Sequence, residues 1–394
     1  MKLKTWLTGA LIAAGLLTAA GPAMSQDKQQ KLTVWWVKGF YKAEDDALFA
    51  AIKKFEPAAL STTFLYNNVA KNRAYYAYPI KQQTMHIVYW KDMLAEAGFQ
   101  SSDIPTTWKE YWNFWCDKVQ PAYRQKTGKR GFATGFPMGV DSTDAFYSFL
   151  TFMDAYNVKL VNDSGKLLVD DPSVRQGLIN AMNDYVTPYI KGCTPPSSTS
   201  WKDPDNNVAF HNRTTIMTHN ATISIAAKWL DDMNNPALTQ EQRDLGKKNY
   251  YDNILTAGFP TKPDGTKMVY RTAVKTGVIF KEAKNKEAAK KFVAFLLEEQ
   301  NLTPYVEGSL GRWFPVTKAA QQRPFWKADP HRLSVYNQYM SGTVPFEFTK
   351  NYKFTVLNNE NVWAKAMNRI INEKVPTDKA VDELIARIKE VASN

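Results

Sequence analysis

The chain is poor in the residues that most chemistry and most stapled scaffolds require: 394 residues carry two cysteines and four histidines. Two cysteines exclude a disulfide-dense framework. Cys116 and Cys193 allow at most one bridge in an oxidising compartment, and the spacing leaves a bridge or two buried thiols equally open. His86, His211, His219 and His331 lack the spacing of zinc ligands. No His-Glu-x-x-His, Cys-x-x-Cys, Gly-x-Ser-x-Gly, Walker A or Gly-x-Gly-x-x-Gly motif occurs. The paired acids Asp45-Asp46, Asp170-Asp171, Asp231-Asp232 and Glu298-Glu299 are sequence neighbours, which do not face one another on a helix. They read as caps and solvated faces, not as the opposed carboxylates of a glycosidase. An enzyme is therefore not expected, and no catalytic residue, metal or cofactor is assigned. Beyond the leader no apolar run is long enough to span a bilayer. Internal repeats, low-complexity segments and long linkers are absent as well. The formal charge is +12, yet no run of five basic residues exists. The lysines are dispersed, as between Lys284 and Lys291, and read as a solvated surface, not a nucleic-acid patch.

What is present begins with export. Lys2 and Lys4 precede an apolar run from Leu7 to Ala20, and Ala23-Met24-Ser25 supplies small residues for cleavage. Residues 1–25 read as a secretory signal peptide. A periplasmic, soluble chain starting near Gln26 is expected, without a lipid anchor because no cysteine sits at the cleavage site. The remaining length of about 370 residues suits two domains.

Strands and helices alternate, which argues an α/β class. Lys31–Val37 is a β-branched and aromatic run. Leu48, Ala51, Ile52 and Phe55 fall at i, i+3, i+4 and i+7, predicting a helix over Ala43–Glu56. Further helices are expected over Ser142–Tyr156, over Pro172–Tyr185 behind Asp170 or Asp171, over Asn285–Leu297, around Val362–Ile371 and over Asp378–Val391. Strands are expected at Thr214–Thr218, Leu255–Pro260 and Ala273–Phe280. Cys193–Pro204 and Asn234–Gly246 read as loops.

Residues 74–112 carry the most information. They read as a strand through Tyr78-Pro79, a polar turn, a second strand, and a short helix around Lys91-Asp92-Met93-Leu94. Gly98 and Pro105 then lead to a helix behind Thr107, which with Glu110 predicts a capping box. The stretch resembles the lobe-crossing strand and "YWKDML–EAGF", "P–TW–E" segments of extracellular solute-binding proteins of ABC importers, the maltose-binding type. Residues 208–229 resemble the same family's "F–G–A-M-spacer" segment, with Asn212 where glycine is common. Thr256–Pro260, Thr276–Phe280, Asn285–Ala289 and Gly308–Pro315 follow in family order.

This resemblance implies a two-lobed α/β periplasmic binding protein, type II-like, with an interlobe cleft and a hinge. It places 27–85 and 256–310 in the first lobe, and 86–255 and 311–394 in the second. It also implies a monomer that binds a carbohydrate or polyol by hinge closure and delivers it to the membrane subunits of an ABC permease. One departure stands out. Glu56 runs almost directly into Pro57-Ala58-Ala59-Leu60, so about two strands of the first lobe are missing, at roughly 30 residues per βα repeat.

A sugar offers apolar C–H faces and a rim of hydroxyls, so its binder needs flat aromatics and polar side chains. Trp36 ends the first strand, where ligands of α/β folds sit. Lys81, Gln82, Gln83 and Thr84 occupy the crossing turn, as ligand contacts or as a solvated hinge. Asp141 and Thr143 precede a helix, with capping the alternative role for Asp141. Thr218 and Asn220 close the strand after Asn212. Arg312 and Trp313 pair a guanidinium with an aromatic, suited to a hydroxyl-rich or acidic ligand. Rival readings remain: a sugar phosphate or other anion drawn by Lys81 and Arg312, iron held by Tyr75-Tyr76, a secreted glycan-active enzyme, or a chain whose shortened lobe no longer binds.

Overall fold

The computed structural model describes residues 41–54 and 77–393, and the side chains of 52–54 are not included. The expected first strand, Trp36, Tyr75-Tyr76 and the shortened segment after Glu56 lie outside the described residues.

Two sheets organise the fold. The first has the order β7-β1-β8, and the second β3-β4-β2-β5. Here β1 is Tyr78–Gln83, β2 His86–Trp90, β3 Phe132–Gly135, β4 Thr215–Asn220 and β5 Ile254–Ala257. A short β6, Tyr270–Arg271, precedes β7, Ala273–Gly277, with β8 at Phe314–Pro315 and β9 at Thr343–Val344. β6 and β9 pair in parallel.

The chain crosses between sheets where the sequence pattern changes. β1 lies antiparallel to β7 and β8, and only Thr84 and Met85 separate it from β2. Pro79 cannot donate to a ladder, and the β1–β7 register slips between Pro79 and Lys81. β2 is a five-residue run buried at every position, as expected of a strand covered on both faces. Trp90 covers one side, stacked on Phe210 with ring centroids 4.9 Å apart. β4 runs parallel to β3 and antiparallel to β2, and β5 lies antiparallel to β2 on its other side.

Helices form where apolar residues recur on one face. Lys42–Lys54 buries Leu48 and Ala51. Val362–Ile371 and Thr377–Ala392 pack together through Met367, Ile370, Leu384 and Ile388 among others. Trp112, Phe136, Phe152 and Phe259 gather around His219, and Trp108 packs edge-on against Trp112 and Phe152, which puts much of the aromatic content into one core.

Several expectations need correction. Thr107 is the N-cap of Trp108–Asn113, but its hydroxyl donates to Glu110 Oε2 at 2.6 Å and makes no cap to the backbone. The helix after Asp171, whose carboxylate accepts from Ser173 N at 2.8 Å, runs past Tyr185 and through Pro188 to Ile190. Gln240–Lys248 is a helix and not a loop, opened by a true capping box of Thr239 and Gln242. Helix Pro330–Met340 went unforeseen, although Asp329 caps it by accepting from Arg332 N at 2.9 Å. The cysteine question resolves as a bridge: Cys116 and Cys193 form a disulfide across 77 residues of sequence. It ties the π-type turn Phe114–Val119 to the loop that follows Ile190.

Candidate functional site

The site is built where β1, β7 and the 308–313 loop meet the first turn of helix Lys42–Lys54. Glu44, Leu48 and Ala51 fall at i, i+4 and i+7, so Glu44 lies on the helix's buried stripe. Its side chain is fully buried. An ionised carboxylate there needs compensation, and two cations supply it: Lys81 Nζ lies 3.4 Å from Oε2 and Arg312 Nη1 3.5 Å from Oε1. Lys81 also hydrogen-bonds the Tyr305 hydroxyl. Burial pushes the Lys81 ammonium down to about 8; Glu44 opposes that shift and the Arg312 charge reinforces it.

Trp313 is the floor of this cluster. Lys81 Nζ stands 4.4 Å from its ring centroid, Arg312 Cζ 4.9 Å and Lys275 Nζ 5.7 Å. The ring is 5% exposed, so it is covered by cations and not presented as a bare stacking surface. Its backbone N–H donates to Ser309 Oγ at 3.0 Å. Gly311 makes the turn possible at φ +91°, and a Cβ there would meet Arg332 Cγ at 2.7 Å and Ile223 Cδ1 at 2.9 Å. Lys275 sits on β7 directly opposite Lys81 on β1. Desolvation, then the Arg312 charge, lower its ammonium from the usual lysine range.

The facing wall comes from the second sheet's side. Asp203 accepts from the Ser142 hydroxyl at 3.0 Å, the Thr143 hydroxyl at 2.6 Å and the Asp144 backbone N–H at 3.1 Å. It thereby caps helix Thr143–Ala155 from a distant loop. Asp144 is buried, accepts from Asn206 Nδ2 at 3.4 Å, and its carboxyl is pushed up to about 7 by burial and by the Asp203 charge. Arg312 and Lys275 pull it the other way, which brings the two walls into one electrostatic site. Asn220 Nδ2 donates to Ser224 Oγ at 2.7 Å, and the Tyr41 hydroxyl joins the walls by donating to Ser224 O at 2.6 Å.

The expected site residues divide between this cluster and the framework around it. Lys81, Arg312 and Trp313 come together. Thr143 and Asn220 belong to the facing wall, while Asp141 is exposed in the turn before helix Thr143–Ala155. The remaining residues are committed to the fold. Gln82 Nε2 donates to Pro315 O at 2.8 Å, the Thr84 hydroxyl to Gln338 Oε1 at 2.8 Å, and the Thr218 hydroxyl to Gly135 O at 2.6 Å. Gln83 is buried. Trp36 lies outside the described residues. Sequence reasoning missed Glu44, Asp144, Asp203 and Lys275. The one available signal was Glu44, a carboxylate in line with an apolar helical stripe.

Residues 13–334 match the model of bacterial extracellular solute-binding proteins. The chain belongs to that family. No curated protein matches the sequence. Solved structures of family type share its two-lobed fold at low identity. Maltose-bound MalE3 of T. maritima has a TM-score of 0.61 at 17% identity, covering 90% of this chain and 80% of that one. A sugar transporter from Arthrobacter chlorophenolicus with bound laminaribiose gives 0.64 at 14%, covering 90% and 81%. UgpB from Mycobacterium tuberculosis in complex with glycerophosphocholine gives 0.59 at 16%, covering 89% and 78%. For this member of the solute-binding family, then, the expected fold class is correct. The family is one of binding proteins. Among its described residues no helix is long and apolar enough to cross a membrane.

Proposed function

We propose that the chain is the periplasmic solute-capturing subunit of an ABC importer, and that it takes a carbohydrate or polyol between its two lobes. The observation that carries this reading is the facing of two polar walls across the β1–β2 crossing. One holds Glu44, Lys81, Lys275, Arg312 and Trp313, the other Asp144, Asp203, Asn220 and Ser224. Charged donors and acceptors over an aromatic floor are what a hydroxyl-rich ligand requires. Relatives of the same fold hold maltose and laminaribiose, which supports a sugar as the solute class.

The lobes divide near Thr84-Met85 and again within residues 258–272, a little beyond the expected 255/256 boundary because β5 pairs with β2. Because β8 pairs with β1, the last crossing falls just after Pro315. Contacts to both walls at once would stabilise the closed form, and the liganded protein would dock as a monomer on the permease's membrane subunits. Arg312 and Lys81, seated over Trp313, contact the solute from one wall, Thr143 and Asn220 from the other. No bond of the solute is made or broken.

A thermal-shift screen over neutral sugars, polyols and acidic sugars tests the proposal. A solute at about a hundred times its Kd stabilises by about 2.7 kcal/mol through mass action, which is a readily measured rise in Tm. A cleanly folded sample that responds to no member of the panel contradicts it.

A further inference from the structure

Lys81 and Lys275 are direct cross-strand partners on β1 and β7. Like charges placed opposite one another weaken a strand pair, so this arrangement costs stability unless something compensates it. Arg312 brings a third cation over the same indole, and all three lie within 5.7 Å of the Trp313 centroid. Among the described residues Glu44 is the carboxylate within ion-pair reach of Lys81 and Arg312, and it is buried beneath them. Lys275 has no carboxylate within ion-pair distance among the described residues. Among the described residues this wall thus sets three cations against the Glu44 carboxylate, and Asp203 and Asp144 of the facing wall act on Lys275 from beyond ion-pair distance. On the facing wall, Asp203 accepts from Ser142, Thr143 and the Asp144 N–H, and Asp144 from Asn206.

We propose that the captured solute is an acidic carbohydrate or polyol, and that Lys275, with Lys81 and Arg312, receives its phosphate or carboxylate over Trp313. This rests on the carbohydrate-binding reading above and narrows it. A neutral sugar leaves the opposed lysines repelling one another. An anion placed between Lys275 and Arg312 removes that repulsion and gains charge-assisted hydrogen bonds. The guanidinium fork matches either a phosphate or a carboxylate, and the facing wall is left to the hydroxyls.

Calorimetric titration of the purified full-length mature chain with glucose, glucose 6-phosphate, glucuronate and maltose, at low and at high salt, tests this. At least one of the two acidic sugars is expected to bind about tenfold or more tighter than glucose. That advantage should shrink at high salt, and the stronger acid of the two identifies the group as phosphate or carboxylate. Lys275 is exposed and its charge opposes that of Lys81, so Lys275→Gln should melt no lower than the parent chain and lose the preference for the acidic sugar. Lys275→Arg should restore it, which keeps the test informative if the glutamine variant folds poorly. Glucose or maltose binding as tightly as both acidic sugars overturns this inference and leaves the carbohydrate reading intact. Heat from none of the four probes overturns both.

Discussion

Replacing Arg271 with methionine strips the guanidinium from a buried ion triad and tests how charge is held inside the second sheet's side. Arg271 Nε and Nη2 each lie 2.7 Å from an Asp154 carboxylate oxygen, and Nη1 lies 2.6 Å from Glu347 Oε2. The three side chains are 9%, 7% and 9% exposed, so water does little to screen them. Burial pushes Asp154 up to about 6, with Arg271 pulling it down. In Arg271→Met the folded value must rise further. Breaking a buried pair by removing one partner costs about 3–5 kcal/mol, because it leaves uncompensated charge behind. The sign with pH follows from linkage. A carboxyl raised in the fold contributes stability below its unfolded value, near 3.8, and loses it as pH rises through its folded value, about 6. The variant's deficit should therefore be largest at about pH 8 and smaller at about pH 5, where Asp154 can hold its proton. Urea unfolding followed by circular dichroism at both pH values measures it. A deficit below about 1 kcal/mol at the higher pH, the typical worth of an exposed pair, would refute the reasoning; so would an equal deficit at both. Replacing all three residues with apolar ones should recover most of the loss.

Other expectations follow from the same geometry. Asp144→Asn removes a carboxyl raised to about 7, so it should stabilise the fold above that pH, by at most about 4 kcal/mol at 1.36 kcal/mol per unit, and leave it unchanged in acid; pH-dependent melting curves check this. Reducing the Cys116–Cys193 bridge, which closes a loop of 77 residues, should cost about 4.5 kcal/mol on the loop-entropy relation, visible as a fall in Tm with dithiothreitol. Gly139→Ala would drive a Cβ to 1.9 Å from Trp201 O, so the loop carrying Asp203 must move; a loss of about 1–3 kcal/mol in urea unfolding is expected.

The crossing was legible because its signals are local. Pro79 and the apolar run from His86 to Trp90 mark two strands, but the break is Thr84-Met85 alone: Lys81, Gln82 and Gln83, expected in the turn, belong to β1 and pair with β7. Helices with an apolar stripe, such as Val362–Ile371 and Thr377–Ala392, were legible for the same reason. Gln240–Lys248 was not, since Leu245 is its single large apolar residue and the helix is fixed by its cap and by Gly246 lying against the backbone of Trp229 and Met233. The site was only half legible. Lys81, Arg312 and Trp313 are conspicuous in their own segments. Lys275 becomes meaningful only once strand register sets it opposite Lys81, and Asp203 only once a loop some 60 residues on is folded against Thr143. Register and loop return are properties of tertiary pairing, and a single sequence does not state them.

Equilibrium titration of the folded chain, read by tryptophan fluorescence with the solute found by screening, tests the central claim most directly. The account predicts saturable binding at one site per chain, together with loss of about tenfold or more in affinity when Arg312, which joins Glu44 to the Trp313 ring, is replaced by alanine. Saturable binding that Arg312→Ala leaves unchanged would place the solute elsewhere and contradict it.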